Sequence, residues 1–218
     1  FVQVHPRPVL QLDCDWTKST KENYFYLLKK IKQLSNRDIS CTLRLYPYAY
    51  PDIMGVPPVD RVMLMCYNLI SPLDNPAKNS ILDVEELEKY VKGKDKYPVA
   101  MDVALPLFSW MQHYQNNRFV GLLDLTEKDI KSIARKRDAL WYTIEKDSTI
   151  NWDTKLAMGD EIKYEMVPKT ELDRAIRLLK KHVQLGDEFT VSFFDLNRNI
   201  YKKYSNDEIS GWYSAFTR

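Results

Sequence analysis

Val9-Leu10-Gln11-Leu12-Asp13-Cys14-Asp15-Trp16-Thr17 is the stretch on which the reading of this chain turns. Apolar and polar residues alternate in it at a period of two, the spacing of a β-strand. Gln11, Asp13 and Asp15 then share one face, and Leu10, Leu12, Cys14 and Trp16 the other. As a buried strand over residues 9–16, it sets two carboxylates side by side inside the fold. Like charges there repel and lose their water, so they need partners or a job. The next residue is Thr17, not an acid.

Working outward, residues 17–21 lead into an amphipathic helix ending near Leu34, with a stripe of Tyr24, Leu27, Leu28, Ile31 and Leu34. A second strand, Ile39 to Tyr46, runs into a loop rich in Pro and Tyr over residues 47–58. A third strand, Arg61 to Tyr67, ends at Asn68. Asp83 starts a helix over Val84 to Lys92, and a fourth strand spans Val99 to Phe108, polar only at Asp102. That rhythm predicts a parallel sheet covered by helices, within the α/β class.

The pattern then changes. Residues 112–167 are polar and aromatic with short strand-like pieces, Leu140 to Ile144 and Glu161 to Val167, and read as a small α+β insertion. The basic run Lys128 to Arg137 reads as a solvated helix face. Thr170 and Asp173 stand at capping-box spacing before a stripe of Leu172, Ala175, Ile176, Leu179 and Val183, which Gly186 ends. A last strand, Phe189 to Phe194, leads into residues 195–199, and Asp207 to Phe216 reads as a short helix burying Trp212. The expected parts are 1–111, 112–167 and 168–218.

Composition narrows the function classes. The chain has 218 residues, 44% hydrophobic, which supports a globular core. A net charge of +2 gives no electrostatic pull toward nucleic acid. No apolar run reaches the roughly 20 residues of a membrane span. Cys14, Cys41 and Cys66 lie in apolar runs and are expected as buried free thiols. No phosphate loop, dinucleotide glycine motif or metal-ligand cluster is seen, so no cofactor and no metal are expected. His5, His113 and His182 are isolated; His113 either faces the cleft or sits in a solvated loop.

In a parallel barrel the active site lies at the C-terminal ends of the strands. Alternation brings Asp13, Asp15, Thr42, Arg44, Tyr46, Met63, Met65, Tyr67 and Phe194 to the inner face. Arg44 can pair with Asp13 or Asp15, as part of a substrate site or of a satisfied ion-pair network. Tyr46, Tyr48, Tyr50, Trp110 and Phe194 ring the same end, where aromatic faces suit sugar rings or ordinary packing.

At these residues the chain resembles family 18 glycoside hydrolases, the chitinase group. Asp13-Cys14-Asp15-Trp16-Thr17 is similar to the end of that family's Asp-x-Asp-x-Glu motif on the fourth strand. Met65-Cys66-Tyr67-Asn68 resembles its Met-x-Tyr-Asp, and Leu105-Pro106-Leu107-Phe108 with Trp110 its seventh-strand segment. Phe194 falls near the tryptophan that closes the eighth strand. The Gln-Leu-Asp-x-Asp strand looks closer still to a bacterial barrel group without assigned function.

The resemblance implies the C-terminal portion of a (β/α)8 TIM-type barrel, from the fourth strand onward, with an insertion before the last helix–strand unit. A whole barrel typically takes about 250 residues, so a fragment, or an upstream segment completing the barrel, is expected. Asp15 and Tyr67 are the implied catalytic pair, around the substrate's acetamido group. Asp13, Arg44, Tyr46, Asn68, Trp110 and Phe194 are the expected substrate-binding residues. Thr17 replaces the glutamate that acts as general acid, and Asn68 replaces an aspartate. Leu10 stands where the motif has its first aspartate. The implied partner is a glycan, acted on or only bound; a scaffold with a vestigial pocket is the plainer alternative. A glycan-directed barrel of bacterial type is expected to work outside the cytoplasm.

Overall fold

The structure is a computed structural model and describes residues 9–195 and 204–217. In chain order the first half comprises β1 (Leu10–Leu12), α1 (Lys21–Ser35), β2 (Ile39–Arg44), α2 (Leu45–Ala49), α3 (Pro51–Met54), β3 (Arg61–Met65), α4 (Val84–Val91) and β4 (Ala100–Pro106). There follow β5 (Ser109–Gln115), β6 (Arg118–Leu123), α5 (Glu127–Ile130), β7 (Ala134–Lys136), β8 (Trp141–Ile144), β9 (Ser148–Ile150), β10 (Thr154–Leu156) and β11 (Glu161–Met166). The chain closes with α6 (Lys169–His182), β12 (Val191–Phe194) and α7 (Asn206–Thr217).

Two sheets organise these elements. The first is parallel throughout, in the order β1-β2-β3-β4-β12. Among the described residues it stays open, with β1 and β12 as its edges. This mixed α/β arrangement is compatible with part of a TIM-type barrel. The second sheet, β6-β5-β11-β8-β7, is antiparallel, and β9 and β10 form a separate hairpin.

Burial follows position in the parallel sheet. Ile39, Cys41, Leu43, Val62, Leu64, Val103 and Leu105 are fully buried beneath the helices. In β3, buried Val62 and Leu64 alternate with half-buried Arg61, Met63 and Met65. The helix-covered face is therefore closed and the other face opens toward solvent at β3. Each fully buried Leu or Val contributes roughly 1.5–3 kcal/mol relative to exposure. Asp83 caps α4 as expected, accepting from the backbone N–H of Glu86 at 2.9 Å. Gly55 follows α3 at φ 76°, a conformation that favours glycine, and a Cβ there would stand 2.8 Å from the Phe25 ring.

Several sequence expectations are corrected. β1 stops at Leu12, residues 13–17 have no regular structure, and Asp13, Cys14 and Asp15 are exposed. An edge strand lacks the outer neighbour that would bury such a run. Tyr46 is not the end of a strand: Leu45 begins α2, which tolerates Pro47 within its first turn. The Lys128–Arg137 run is split between α5 and the strand β7. Pro168, not Thr170, precedes α6, and no side chain caps it. Asp173 instead accepts from Lys169 at 2.9 Å and from the Trp212 indole at 2.8 Å. The helix ends at His182, before Gly186. His113 lies in β5, buried 2.6 Å from Asp160, and neither faces the cleft nor meets solvent. Residues 196–199 and His5 lie outside the described residues.

Candidate functional site

The C-terminal ends of β1, β2 and β3 converge on a cleft of about 400 Å³. Asp15, Thr17, Arg44, Tyr46, Tyr67 and Asn68 all line it. Each arrives for a local reason. Trp16 turns inward, 6% exposed, and its indole N–H donates to the Met54 carbonyl at 2.9 Å. That anchor holds the segment after β1 that carries Asp13 and Asp15. The Thr42 hydroxyl, from β2, donates to Asp13 at 2.8 Å. Two residues further along the same strand, the Arg44 guanidinium reaches Asp15 at 3.1 Å. The period-two ladder thus pairs each acid with one residue of the neighbouring strand. More than half of the Asp15 side chain is exposed, so a ligand can reach it.

Thr17 is committed to the turn that opens α1. Its backbone N–H donates to the Thr20 hydroxyl at 2.9 Å. Its own hydroxyl lies 2.9 Å from that of Ser19 and 3.1 Å from that of Thr20. This is a local hydroxyl cluster satisfying backbone at a helix entrance. A hydroxyl cannot protonate a leaving group near neutral pH. Among the described residues that line the cleft, Asp15 is the only carboxylate.

Tyr67 closes the cleft from beneath. It is 9% exposed and stacks on Phe194 with centroids 5.3 Å apart and planes 7° apart. Phe108 meets both rings edge-on, at 6.1 and 5.7 Å. Burial, followed by the negative charges of Asp13 and Asp15, pushes the Tyr67 hydroxyl up to about 12. It therefore remains a protonated donor at neutral pH. Asn68 follows at φ 54°, a left-handed position that Asn tolerates. At the rim, Tyr46 and Tyr50 lie 4.8 Å apart, both exposed, and the Lys94 ammonium sits 4.5 Å from the Tyr50 ring centroid.

Other residues named from the sequence lie elsewhere. Trp110 packs on Phe108, but its indole N–H donates away from the cleft, to Glu165 at 2.6 Å. Phe194 flanks Tyr67 and is half exposed, yet is not part of the cleft lining. Asp13 accepts from Thr42 and is exposed, but is not part of the cleft lining. Tyr48 is buried against Tyr97. Lys18, Leu69 and Tyr90 also line the cleft, beyond the residues that the sequence pattern points to. Lys18 was inferable from its place after Thr17; Tyr90, on the amphipathic α4, gave no local signal. Among the described residues no cluster of His, Cys, Asp and Glu could hold a metal ion. No helix among them is long and apolar enough to cross a membrane.

No protein-family profile matches the chain, and no curated protein does. Among solved structures, the chain is similar to the spore cortex-lytic enzyme SleL of Bacillus cereus, at 14% identity and a TM-score of 0.49. That alignment covers 90% of this chain and 49% of SleL. It is also similar to catalytic domain 2 of the Group II chitinase of Ostrinia furnacalis, at 12% identity and a TM-score of 0.42, over 84% of this chain and 58% of that one. A mutant of the same domain in complex with a chitooligosaccharide gives 12% identity and a TM-score of 0.41, over 86% of this chain and 60% of that one. The chain thus spans about half the length of SleL.

Proposed function

We propose that this chain is a chitinase-like, glycoside-hydrolase-related portion of a TIM-type barrel that binds a glycan in the Asp15–Tyr67 cleft without hydrolysing it. The observation that carries the reading is the pairing of an acceptor with a donor. Asp15, held by Arg44, keeps carboxylate lone pairs free for an amide N–H. Tyr67 keeps its proton and can donate to a carbonyl oxygen. An acetamido group presents that N–H and that carbonyl on neighbouring atoms. The exposed Tyr46 and Tyr50 rings supply apolar faces for a sugar at the rim. Thr17, tied to Ser19 and Thr20, leaves the cleft without the second carboxylate that most glycoside hydrolysis requires.

A second reading is hydrolysis through Asp15, with Asp13 as its supporting charge; it draws on the negative charge that both acids present toward Tyr67. Titration of the protein with chitooligosaccharides, alongside product analysis, separates the two. We expect saturable binding without turnover, weakened by Asp15→Asn and by Tyr67→Phe. Products that vanish in Asp15→Asn would establish hydrolysis instead. The reading further includes a β–α unit, from this or another chain, pairing with β1. Leu10 at that edge and Leu27 and Leu34 on α1 are exposed apolar side chains that such a unit would cover.

A further inference from the structure

Trp152 is the one tryptophan the fold does not use. The sequence holds five tryptophans. Trp16, Trp110, Trp141 and Trp212 are buried or half-buried, and each donates its indole N–H to a protein acceptor. Trp152 is 100% exposed. It stands at the tip of the β9–β10 hairpin, where Ile150 pairs with Thr154 across the turn. Asn151 and Trp152 both take left-handed conformations, at φ 50° and 71°. A bulky side chain is uncommon there, so neither packing nor turn chemistry accounts for tryptophan at this position.

The hairpin is firmly seated below its tip. Leu156 is 1% exposed, in a core with Met111 and Ile162, and Ile150 packs against the same core. Along β5, Met111 points to that core while its neighbours Trp110 and Gln112 point to the opposite face, where both donate to Glu165. The hairpin therefore lies on the side of the second sheet away from Trp110 and the aromatic cluster beside the cleft.

We propose that Trp152 is a second glycan contact, stacking its indole on a sugar ring of a polymeric glycan. The proposal rests on the glycan reading of the cleft and extends it to a surface site. Size selects the occupant. A tryptophan buries roughly 150–250 Å², whereas a stable protein partner covers about 800 Å² on each side. The rest of the tip is polar. Charge argues the same way. Lys146, Asp147, Asp153 and Lys155 around the hairpin cancel, so the basic cluster that draws a segment to an anionic membrane is missing here. A single exposed indole matches the apolar face of one pyranose ring. A site on the far side of the second sheet serves a long chain better than a short oligosaccharide.

The test compares the intact chain with Trp152→Ala and Trp152→Tyr. Co-sedimentation uses colloidal chitin and purified peptidoglycan sacculi, and a parallel titration uses short chitooligosaccharides. We expect Trp152→Ala to weaken retention on the polymer about tenfold, Trp152→Tyr to keep most of it, and oligosaccharide affinity to stay within twofold. Polymer should also shield Trp152 from acrylamide quenching. Equal sedimentation of wild type and Trp152→Ala, with oligosaccharide binding still lost in Asp15→Asn, overturns this site and leaves the cleft reading intact. Trp152-dependent sedimentation with phosphatidylglycerol vesicles but not with glycan also overturns it. No binding of polymer or oligosaccharide removes both.

Discussion

Asp13 and Asp15 follow β1 at the exposed edge of the parallel sheet, whereas Lys163 and Glu165 sit inside β11 with no exposed surface. Both are charged pairs two residues apart on one face of an extended segment. Glu165 is saturated. Its Oε1 accepts from the backbone N–H of Ser80 at 2.7 Å and lies 2.9 Å from the Lys163 ammonium. Its Oε2 accepts from the Ser80 hydroxyl, the Trp110 indole and the Gln112 amide at 2.5 to 2.8 Å. Lys163 also donates to the carbonyls of Pro72 and Lys78. This network fastens the second sheet to the loop after β3. Among the described residues, Asp13 and Asp15 each have one side-chain hydrogen-bond partner, and both are exposed. A buried, saturated pair has nothing left for a ligand; an exposed, half-satisfied acid has lone pairs to offer.

The largest effect should come from breaking the buried pair. Glu165→Ala strands the Lys163 ammonium inside the fold, and we expect a loss of about 3–5 kcal/mol in urea denaturation. A loss below about 1 kcal/mol would show that water reaches the network and would undo the contrast. Replacing both residues by apolar ones of similar volume should recover much of the loss.

The second sheet carries another buried acid, and its effect should appear in acid. Burial alone would raise the Asp160 carboxyl, but hydrogen bonds from the Ala157 N–H, Gln115 and His113 outweigh it and hold the carboxyl below its usual range. Because the folded value lies below the unfolded one, this stability is present above the unfolded value of about 4 and is lost as pH falls further. We expect Asp160→Asn to cost about 2 kcal/mol at pH 7 and to flatten the decline in stability below pH 4. Thermal melts across pH 2 to 7 measure both; an unchanged acid slope would contradict the assignment.

Opposite behaviour is expected at the edge. Asp15→Asn should change stability by less than about 1 kcal/mol, since exposed pairs contribute little. Its cost should appear as about tenfold weaker binding of chitooligosaccharide, near 1.4 kcal/mol. A variant that unfolds readily but binds normally would move Asp15 into the structural class with Glu165.

The contrast explains what could be read from the residues alone. The β/α rhythm, the helices α1 and α4 and the strands β2 to β4 were legible because period and apolar content coincide there. Gathering Asp15, Arg44, Tyr67 and Asn68 at the strand ends required only alternation and a parallel sheet. Exposure was not legible: alternation says which side a carboxylate takes, not what covers that side. Glu161-Ile162-Lys163-Tyr164-Glu165 misleads in the reverse sense. Its charges alternate like a solvated face, yet Lys163 and Glu165 are wholly buried, because their partners Ser80, Gln112 and the Pro72 and Lys78 carbonyls are remote in sequence. Trp110 looked like a ligand platform because nothing in the sequence revealed that Glu165 claims its indole.

The smallest effect tests Thr17, where the edge departs most from the resembled motif. Thr17→Ala removes the hydroxyl contacts to Ser19 and Thr20 at the entrance to α1. With the backbone donation to Thr20 retained, we expect a loss of about 0.5–1 kcal/mol by thermal melt. Thr17→Glu should cost a similar amount while placing a carboxyl among the cleft-lining residues beside Asp15. If the missing acid is what silences the cleft, this variant acquires slow release of reducing ends from chitooligosaccharides and keeps the binding of the parent. If wild type already releases them at the same rate, Thr17 is not the blocked position, and Asp15 carries a proton-transfer role that its pairing with Arg44 does not reveal.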